Sequence, residues 1–230
     1  MSGNGNKTQL TIRLILVLLI LLAAFFLPAG SLNWPEAWLV LFLYIFFSLA
    51  AFIWMKRNDP ELLAERISRR SKKESKSWDN RIMVVYSFLM LALVVLSGLD
   101  RVRFGWSRVP TWIKTAAFPL FVIPGYLFFR VIRVNHFLSE RVRIQEDRGH
   151  TVCDTGPYAV IRHPMYTAII LFTLLLPPAL GSLYGLIPAA FVGALMVLRT
   201  ALEDRTLKRE LPGYPEYAAR VRYRLVPGIW

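Results

Sequence analysis

The chain has 230 residues, of which 55% are hydrophobic, and it carries 28 lysine and arginine residues against 15 aspartate and glutamate residues. The apolar residues stand in long uninterrupted runs, which excludes an ordinary soluble domain and indicates one compact all-α bundle of membrane helices. The net charge of +13 lies mainly between these runs. Basic residues between apolar runs are typical of cytoplasmic loops and of contact with lipid headgroups, so nucleic-acid binding is not favoured.

The first half of the chain, residues 1–134, contains four apolar runs that each predict a spanning helix. They cover residues 10–28, 34–55, 82–99 and 112–132. We expect the first to be an uncleaved membrane helix, because no small-residue cleavage site follows it. The loop 56–81 holds nine basic against five acidic residues, which predicts that this loop and the N-terminus are cytoplasmic, although three arginines in the loop 100–111 disagree mildly.

Proline and glycine mark two places where the apolar helices should be interrupted. Pro119, Pro124 and Gly125 predict a kink in the fourth span. The apolar run of residues 166–198 is too long for one span and is broken near its middle, so it predicts a helical hairpin. With legs of 11–16 residues, about 16–24 Å, the hairpin should dip into the membrane and return, bringing His163 and Arg199 to the same face.

The polar stretch of residues 150–166 lies directly before this hairpin. It contains two of the three histidines and the one cysteine, together with Gly156-Pro157 and His163-Pro164. Two such breaks exclude a continuous helix. Irregular backbone at a membrane boundary usually lines a site, so we predict a binding site here.

Several kinds of site are not favoured by the sequence. It contains no glycine-rich nucleotide fingerprint, no CxxC, no HExxH and no GxSxG. Three histidines and one cysteine would form a metal site only by coincidence of fold, so no metal is expected. One cysteine also excludes an internal disulfide.

Arg199 and Glu203 follow the hairpin and are four residues apart, which places them on one face of a helix. As a surface ion pair they would contribute about 0.3–0.5 kcal/mol. Arg199, however, directly continues an apolar run, and an arginine at that depth is costly unless it binds an anion. We therefore predict a functional role for Arg199.

The second half of the chain, residues 135–230, contains GPY at 156–158, RHPMY at 162–166, R-x-x-x-E-D-x-x-L at 199–207, GYPEY at 213–217 and PGIW at the end. With the hairpin between them, these motifs resemble the isoprenylcysteine carboxyl methyltransferase and phospholipid methyltransferase family of integral membrane enzymes. The first half is similar only in consisting of membrane helices. Asp204 and Ala168 depart from that pattern, which commonly has glutamate and glycine at these places.

The resemblance implies that S-adenosylmethionine binds in a cytoplasm-facing pocket formed by residues 135–165 and the C-terminal helices. It implies that Arg199 and Glu203 are the catalytic residues and that Arg199 binds the carboxylate or phosphate of the substrate. The implied cofactor contacts are Gln145, His150, Thr151, Val152, Cys153, Tyr158, His163, Pro164, Met165, Tyr166 and Glu203.

The methyl acceptor is expected to be a lipophilic membrane molecule. A carboxylate such as that of an isoprenylcysteine is favoured, because it is already ionised near neutral pH and needs no general base. The alternatives are N-methylation of a phospholipid amine, an NADPH-dependent membrane sterol or steroid reductase, and a non-catalytic lipid-binding scaffold. Met165 and Thr167-Ala168 argue against the reductase, whose similar motif tends to carry Asn before the tyrosine and Gly-Glu after it.

Overall fold

The structure, a computed structural model, describes residues 3–68 and 74–230, with side chains from residue 15 onward. Over these residues the fold is all-helical and contains no strand. The helices are α1 (Gly3–Ala29), α2 (Pro35–Asn58), α3 (Pro60–Ile67), α4 (Ser77–Gly98), α5 (Thr111–Leu120), α6 (Val122–Val134), α7 (Pro164–Leu180), α8 (Leu186–Glu210) and α9 (Tyr214–Arg220). A π-helical turn, Leu99–Phe104, extends α4.

Four helical segments in the described part of the chain are long and apolar enough to cross a membrane. They are α2, α4 with its π-helical turn, α5 with α6, and α8. The apolar part of α1, Ile15–Ala29, and α7 are shorter. Phe42 and Phe46 on α2 are more than half exposed, as expected of side chains that face lipid rather than a protein core. The predicted class, a multi-pass all-α membrane protein, is confirmed.

The hairpin is also confirmed, but its legs are longer than expected. Pro177 and Pro178 lie within the last turn of α7 and do not end it. The helix ends at Gly181, whose φ of +80° allows its N–H to donate back to the carbonyls of both prolines. The legs therefore have 17 and 25 residues, about 25 and 37 Å. These helices are longer than the expected legs of 11–16 residues, although α7 is shorter than the helices that could cross a membrane.

Asp100, which is fully buried, fixes the tip of the hairpin to the far end of α4. Its carboxylate accepts from the Ser107 N–H at 2.7 Å, the Ser107 hydroxyl at 2.6 Å and the Ser182 hydroxyl at 2.5 Å. The indole Nε1 of Trp34, between α1 and α2, donates to the Leu180 carbonyl at 3.3 Å. The hairpin thus runs the whole length of the bundle.

Replacing Asp100 with alanine is expected to destabilise the protein by about 2–4 kcal/mol, because two buried serine hydroxyls and two backbone N–H groups lose their acceptor. The measurement is the shift in Tm of detergent-purified protein at one scan rate. Asp154→Ala is the control, since its ion pair with Arg220 is exposed and contributes less than about 1 kcal/mol. Equal Tm values for the two variants would contradict this role.

The predicted interruption of the fourth span, a kink or a locally opened helix, is confirmed. The span is divided at Phe121 into α5 and α6, with Pro119 just before the division and Pro124 just after it. Proline lacks the N–H that the helix would use, so two of them this close open the backbone.

Polar connections gather at the end of the bundle opposite the hairpin tip. Helix α3, the segment 135–163 and α9 all lie there, as ion pairs Glu65–Arg143 and Arg162–Asp204 show. Arg69, Arg70, Lys72 and Lys73 of the basic loop lie outside the described residues. That this end faces the cytoplasm stays a prediction.

Candidate functional site

A cavity of about 110 Å³ lies at this polar end, between the segment 135–163, the start of α7, the end of α8 and α9. Most of the residues singled out from the sequence meet in its wall, although they are up to 53 positions apart. Nine of them line it: His150, Thr151, Val152, Cys153, Tyr158, His163, Met165, Tyr166 and Glu203. The hairpin brings these residues together, because it returns α8 to the level at which α7 begins.

Gln145 and Pro164 do not line the cavity but shape its wall. The fully buried Gln145 donates from Nε2 to the Phe137 carbonyl at 2.6 Å and accepts at Oε1 from Arg148 at 2.6 Å. Pro164 is the first residue of α7, where the missing N–H costs nothing. Both residues therefore hold backbone in place.

Glu203 and Tyr166 provide the polar centre of the cavity. The Tyr166 hydroxyl donates to Oε2 of Glu203, and its ring is parallel to that of His163, with centroids 5.7 Å apart. Among the described residues, no cation forms an ion pair with Glu203, although the acid lines the cavity. Its carboxylate is available to a positively charged ligand group.

The structure does not bring Arg199 into the cavity wall. Its buried guanidinium donates from Nε to Oδ1 of Asp79 at 2.7 Å and from Nη2 to the Glu140 carbonyl at 2.9 Å. The Tyr166 ring covers it, with its centroid 5.1 Å from Cζ. These contacts tie α8 to α4 and occupy the group that the sequence assigned to a substrate anion.

Asp204 is a buried ion-pairing centre that sequence reasoning treated only as the second acid of a motif. Arg162 binds it in a bidentate manner, with Nε and Nη2 at 2.7 and 3.2 Å from the two carboxylate oxygens. Arg224 donates at 3.1 Å, the Tyr214 hydroxyl at 3.0 Å, and Lys208 lies at 3.3 Å. The i,i+4 spacing from Asp204 to Lys208 was the one local signal for this cluster.

The chain end closes over the base of the site. The backbone N–H groups of Arg162 and His163 donate to the carbonyls of Tyr223 and Arg224, both at 2.9 Å. Leu225 is buried in a cluster that includes Tyr166 and Trp230. Of the four residues of the PGIW end, Trp230 packs against this cluster, while Pro227, Gly228 and Ile229 are exposed.

Tyr158 fixes the 3₁₀ turn, Gly156–Ala159, against its neighbours. Its hydroxyl accepts from Nδ2 of Asn135 at 2.7 Å, and its carbonyl accepts from the Tyr217 hydroxyl at 2.8 Å. Burial raises the pKa of Tyr158 well above its usual range, so the phenol stays protonated. The group serves as a neutral hydrogen-bonding wall and not as a base.

His150 is held in its neutral form. Burial, with smaller contributions from Arg143 and Arg148, lowers its pKa to about 4. Its Nδ1 accepts from the Gln145 N–H at 3.3 Å, and its ring packs on Phe137 with centroids 4.7 Å apart.

We expect this histidine to make the protein less stable in mild acid. The pKa of His150 in the folded state lies below its value of about 6.5 in the unfolded state. As the pH falls from about 6.5 to about 4, the unfolded state therefore binds a proton that the folded state does not bind, and the folded state becomes less stable. The Tm of the wild type should therefore fall more steeply across this range than that of His150→Asn. Parallel Tm curves for the two proteins would contradict a half-buried His150 held in its neutral form.

A second cavity, of about 730 Å³ and mainly apolar, lies between α2, the kinked α5–α6 span and α7. Phe47, Phe121, Gly125 and Phe172 are among the side chains and backbone that form it. In the part of the chain that the structure describes, Arg66 is the one charged residue in its wall. Its volume is within the range of about 300–1,000 Å³ found for pockets that enclose small molecules.

Comparison with known proteins gives one distant relationship. No family model matches the chain. Over 131 residues the chain is 34% identical to the cobalt-zinc-cadmium resistance protein CzcN of Cupriavidus metallidurans, which covers 56% of this chain and 58% of the relative. The chain thus matches somewhat more than half the length of a protein whose name refers to resistance to cobalt, zinc and cadmium.

Proposed function

We propose that the protein transfers a methyl group from S-adenosylmethionine to a lipophilic acceptor in the membrane, with a carboxylate such as that of an isoprenylcysteine as the acceptor. The observation that carries the proposal is the cavity in which nine of the sequence-predicted residues meet around the carboxylate of Glu203. A donor with an ammonium group fits this acid, because no described cation forms an ion pair with it, and Arg199, which acts on it electrostatically, is bound to Asp79.

The residues of the site would act through binding and orientation. Bound S-adenosylmethionine supplies an electrophilic methyl group on a positively charged sulfur. Glu203 would pair with the donor's ammonium, and the backbone of residues 150–153 would offer hydrogen bonds to its uncharged parts. Because the cavity is smaller than pockets that enclose a whole nucleoside-sized ligand, donor binding requires the cavity to widen.

The reaction needs little chemistry from the protein. Methyl transfer from the donor's sulfonium to a carboxylate oxygen would replace a carbon–sulfur bond with a carbon–oxygen bond, leave the electron pair of the broken bond on sulfur and remove both charges. Because charge would be lost, the wall formed by the buried Tyr158 and Tyr166 and the half-buried Met165 favours the transition state over the charged reactants. A carboxylate acceptor releases no proton, in agreement with the neutral Tyr158 and His150 beside it.

The apolar cavity supports a lipophilic acceptor. It lies beside the kink at Phe121, and its wall includes Ala168 and Ile169 of α7, one turn from Tyr166 of the polar cavity. A hydrocarbon chain that enters between α2 and α6 would therefore extend toward the proposed donor site. Burial of such a chain contributes about 0.8 kcal/mol per methylene.

The test is ligand binding by purified protein. Calorimetry should show that the protein binds S-adenosylmethionine and does not bind NADPH. In a second assay, labelled donor is offered a prenylcysteine analogue and, in a parallel reaction, a membrane lipid extract. The prenylcysteine analogue should be methylated. NADPH binding without S-adenosylmethionine binding would overturn the proposal in favour of a reductase. Transfer to the lipid extract alone would redirect it to a phospholipid amine.

A part in resistance to cobalt, zinc or cadmium is a second candidate, favoured by the similarity to CzcN. The described residues contain no group of three or more His, Cys, Asp and Glu placed to hold a metal ion. Growth of a host with the wild type or with Glu203→Gln on these metals tests the candidate. Metal resistance that is lost in Glu203→Gln would show that methyl transfer and resistance depend on the same site. Equal growth of hosts with and without the protein would exclude a role in metal resistance.

A further inference from the structure

Arg141 lies in the wall of the polar cavity with no partner for its charge. Its Nη1 is buried and has no hydrogen-bond partner among the described residues, and no described carboxylate forms an ion pair with it. The side chains that the structure does not describe, in residues 1–14 and 69–73, include no aspartate or glutamate. No acid of this chain therefore neutralises Arg141.

The other arginines in the same wall are neutralised. Arg143 pairs with Glu65 at 2.8 Å, and Arg162 pairs with Asp204 at 2.7 Å. A buried polar group without a partner is costly and rare in native proteins, and each case calls for an explanation. In a cavity wall, a partner supplied by a ligand is that explanation.

We propose that Arg141 binds a carboxylate of the ligand in this cavity, an inference that rests on the proposed methyl transfer. The cavity then presents one unpaired cation, Arg141, and one unpaired acid, Glu203, which together suit a ligand with both charges. The planar guanidinium matches a carboxylate in a bidentate manner. Arg141 thus takes the anion-binding role that the sequence assigned to Arg199, whose guanidinium is occupied by Asp79.

Two sources can supply the carboxylate, the amino-acid end of the methyl donor and the acceptor. Calorimetry on Arg141→Gln with S-adenosylmethionine and with its decarboxylated form separates them. If Arg141 binds the donor, the variant loses about tenfold or more of its affinity for the first compound and keeps its affinity for the second. If it binds the acceptor, both affinities are unchanged and the KM for a prenylcysteine analogue rises by about tenfold or more.

Arg220→Gln is the matched control, because Arg220 pairs with Asp154 on the exposed surface away from the cavity. The Tm of ligand-free Arg141→Gln should equal or exceed that of the wild type, since the change removes a buried Nη1 that has no hydrogen-bond partner. Unchanged donor affinity and unchanged KM in a folded Arg141→Gln would overturn the proposal while leaving methyl transfer intact.

An anion probe keeps the two proposals distinguishable. Sodium sulfate should raise the Tm of the wild type more than that of Arg141→Gln, and the comparison cancels the general effect of the salt on protein stability. If the wild type binds no S-adenosylmethionine but shows this difference, the proposed reaction fails and the anion site stands. Equal responses of the two proteins to sulfate, with donor affinity and acceptor KM also equal, would refute the anion site.

Discussion

Replacing Arg199 with alanine is expected to lower the free energy of unfolding by about 3–5 kcal/mol. The change leaves the carboxylate of Asp79, which has no exposed surface, without the guanidinium that lies 2.7 Å from it. It also removes a donor to the Glu140 carbonyl at 2.9 Å. The cost follows from isolating a buried charge, and it arises whether or not Arg199 ever contacts a substrate.

The measurement is the Tm or denaturant midpoint of the detergent-purified variant. Lys76→Ala is the control, because Lys76 also makes a close ion pair, with Glu210 at 2.7 Å, but both side chains are more than a third exposed. Its loss should cost less than about 1 kcal/mol. A fully stable Arg199→Ala would show that the pair with Asp79 does not hold α8 to α4.

This prediction changes how activity of an Arg199 variant is read. Lost methyl transfer in Arg199→Ala would follow from loosened packing of α8 as readily as from a missing substrate contact. The double variant Asp79→Leu, Arg199→Met removes both charges and should recover much of the stability. Methyl transfer that recovers with it would assign Arg199 a structural role.

The helices, the kink and the hairpin could be predicted because their signals are local. The length of an apolar run, a proline or a glycine affects the backbone within a few residues. The helix break at Phe121 lies between two prolines, and the end of α7 at Gly181 follows shortly after two others. The length of the hairpin legs was misjudged because proline was assumed to end a helix, whereas in the last turn of α7 it does not.

The charge pairs of the site could not be predicted, because they depend on how distant helices pack. Asp79 and Arg199 are 120 positions apart, and Glu65 and Arg143 are 78 apart. In the sequence, Arg141 and Arg143 look alike, since both stand in one polar segment rich in acids and bases. Only the packing of α3 against that segment shows which arginine is neutralised and which is left facing the cavity.

Glu203 and Asp204 are neighbours in the sequence, but we expect substitution of Glu203 to affect ligand binding and substitution of Asp204 to affect stability. Glu203→Gln should leave the Tm close to that of the wild type, because the described partner of Glu203 is the Tyr166 hydroxyl, which an amide oxygen still accepts from. It should weaken binding of S-adenosylmethionine by about tenfold or more, since a charge-assisted hydrogen bond to the donor's ammonium contributes about 1.5–3 kcal/mol.

Asp204→Asn should act on the fold instead. The amide keeps the shape of the carboxylate but removes its charge, and leaves the buried guanidinium of Arg162 without its counter-ion, at a cost of about 3–5 kcal/mol. Because Arg224 binds the same carboxylate, the chain end should loosen with it and become sensitive to protease at low temperature.

Measuring Tm and donor affinity for both variants side by side separates a binding acid from a structural one. Each variant is the other's control, since they differ by one position on α8 and by the same change from carboxylate to amide. A Glu203→Gln protein that binds the donor like the wild type would remove the basis for the proposed methyl transfer. An Asp204→Asn protein as stable as the wild type would mean that the four basic groups around Asp204, from Arg162, His163, Lys208 and Arg224, do not need its charge.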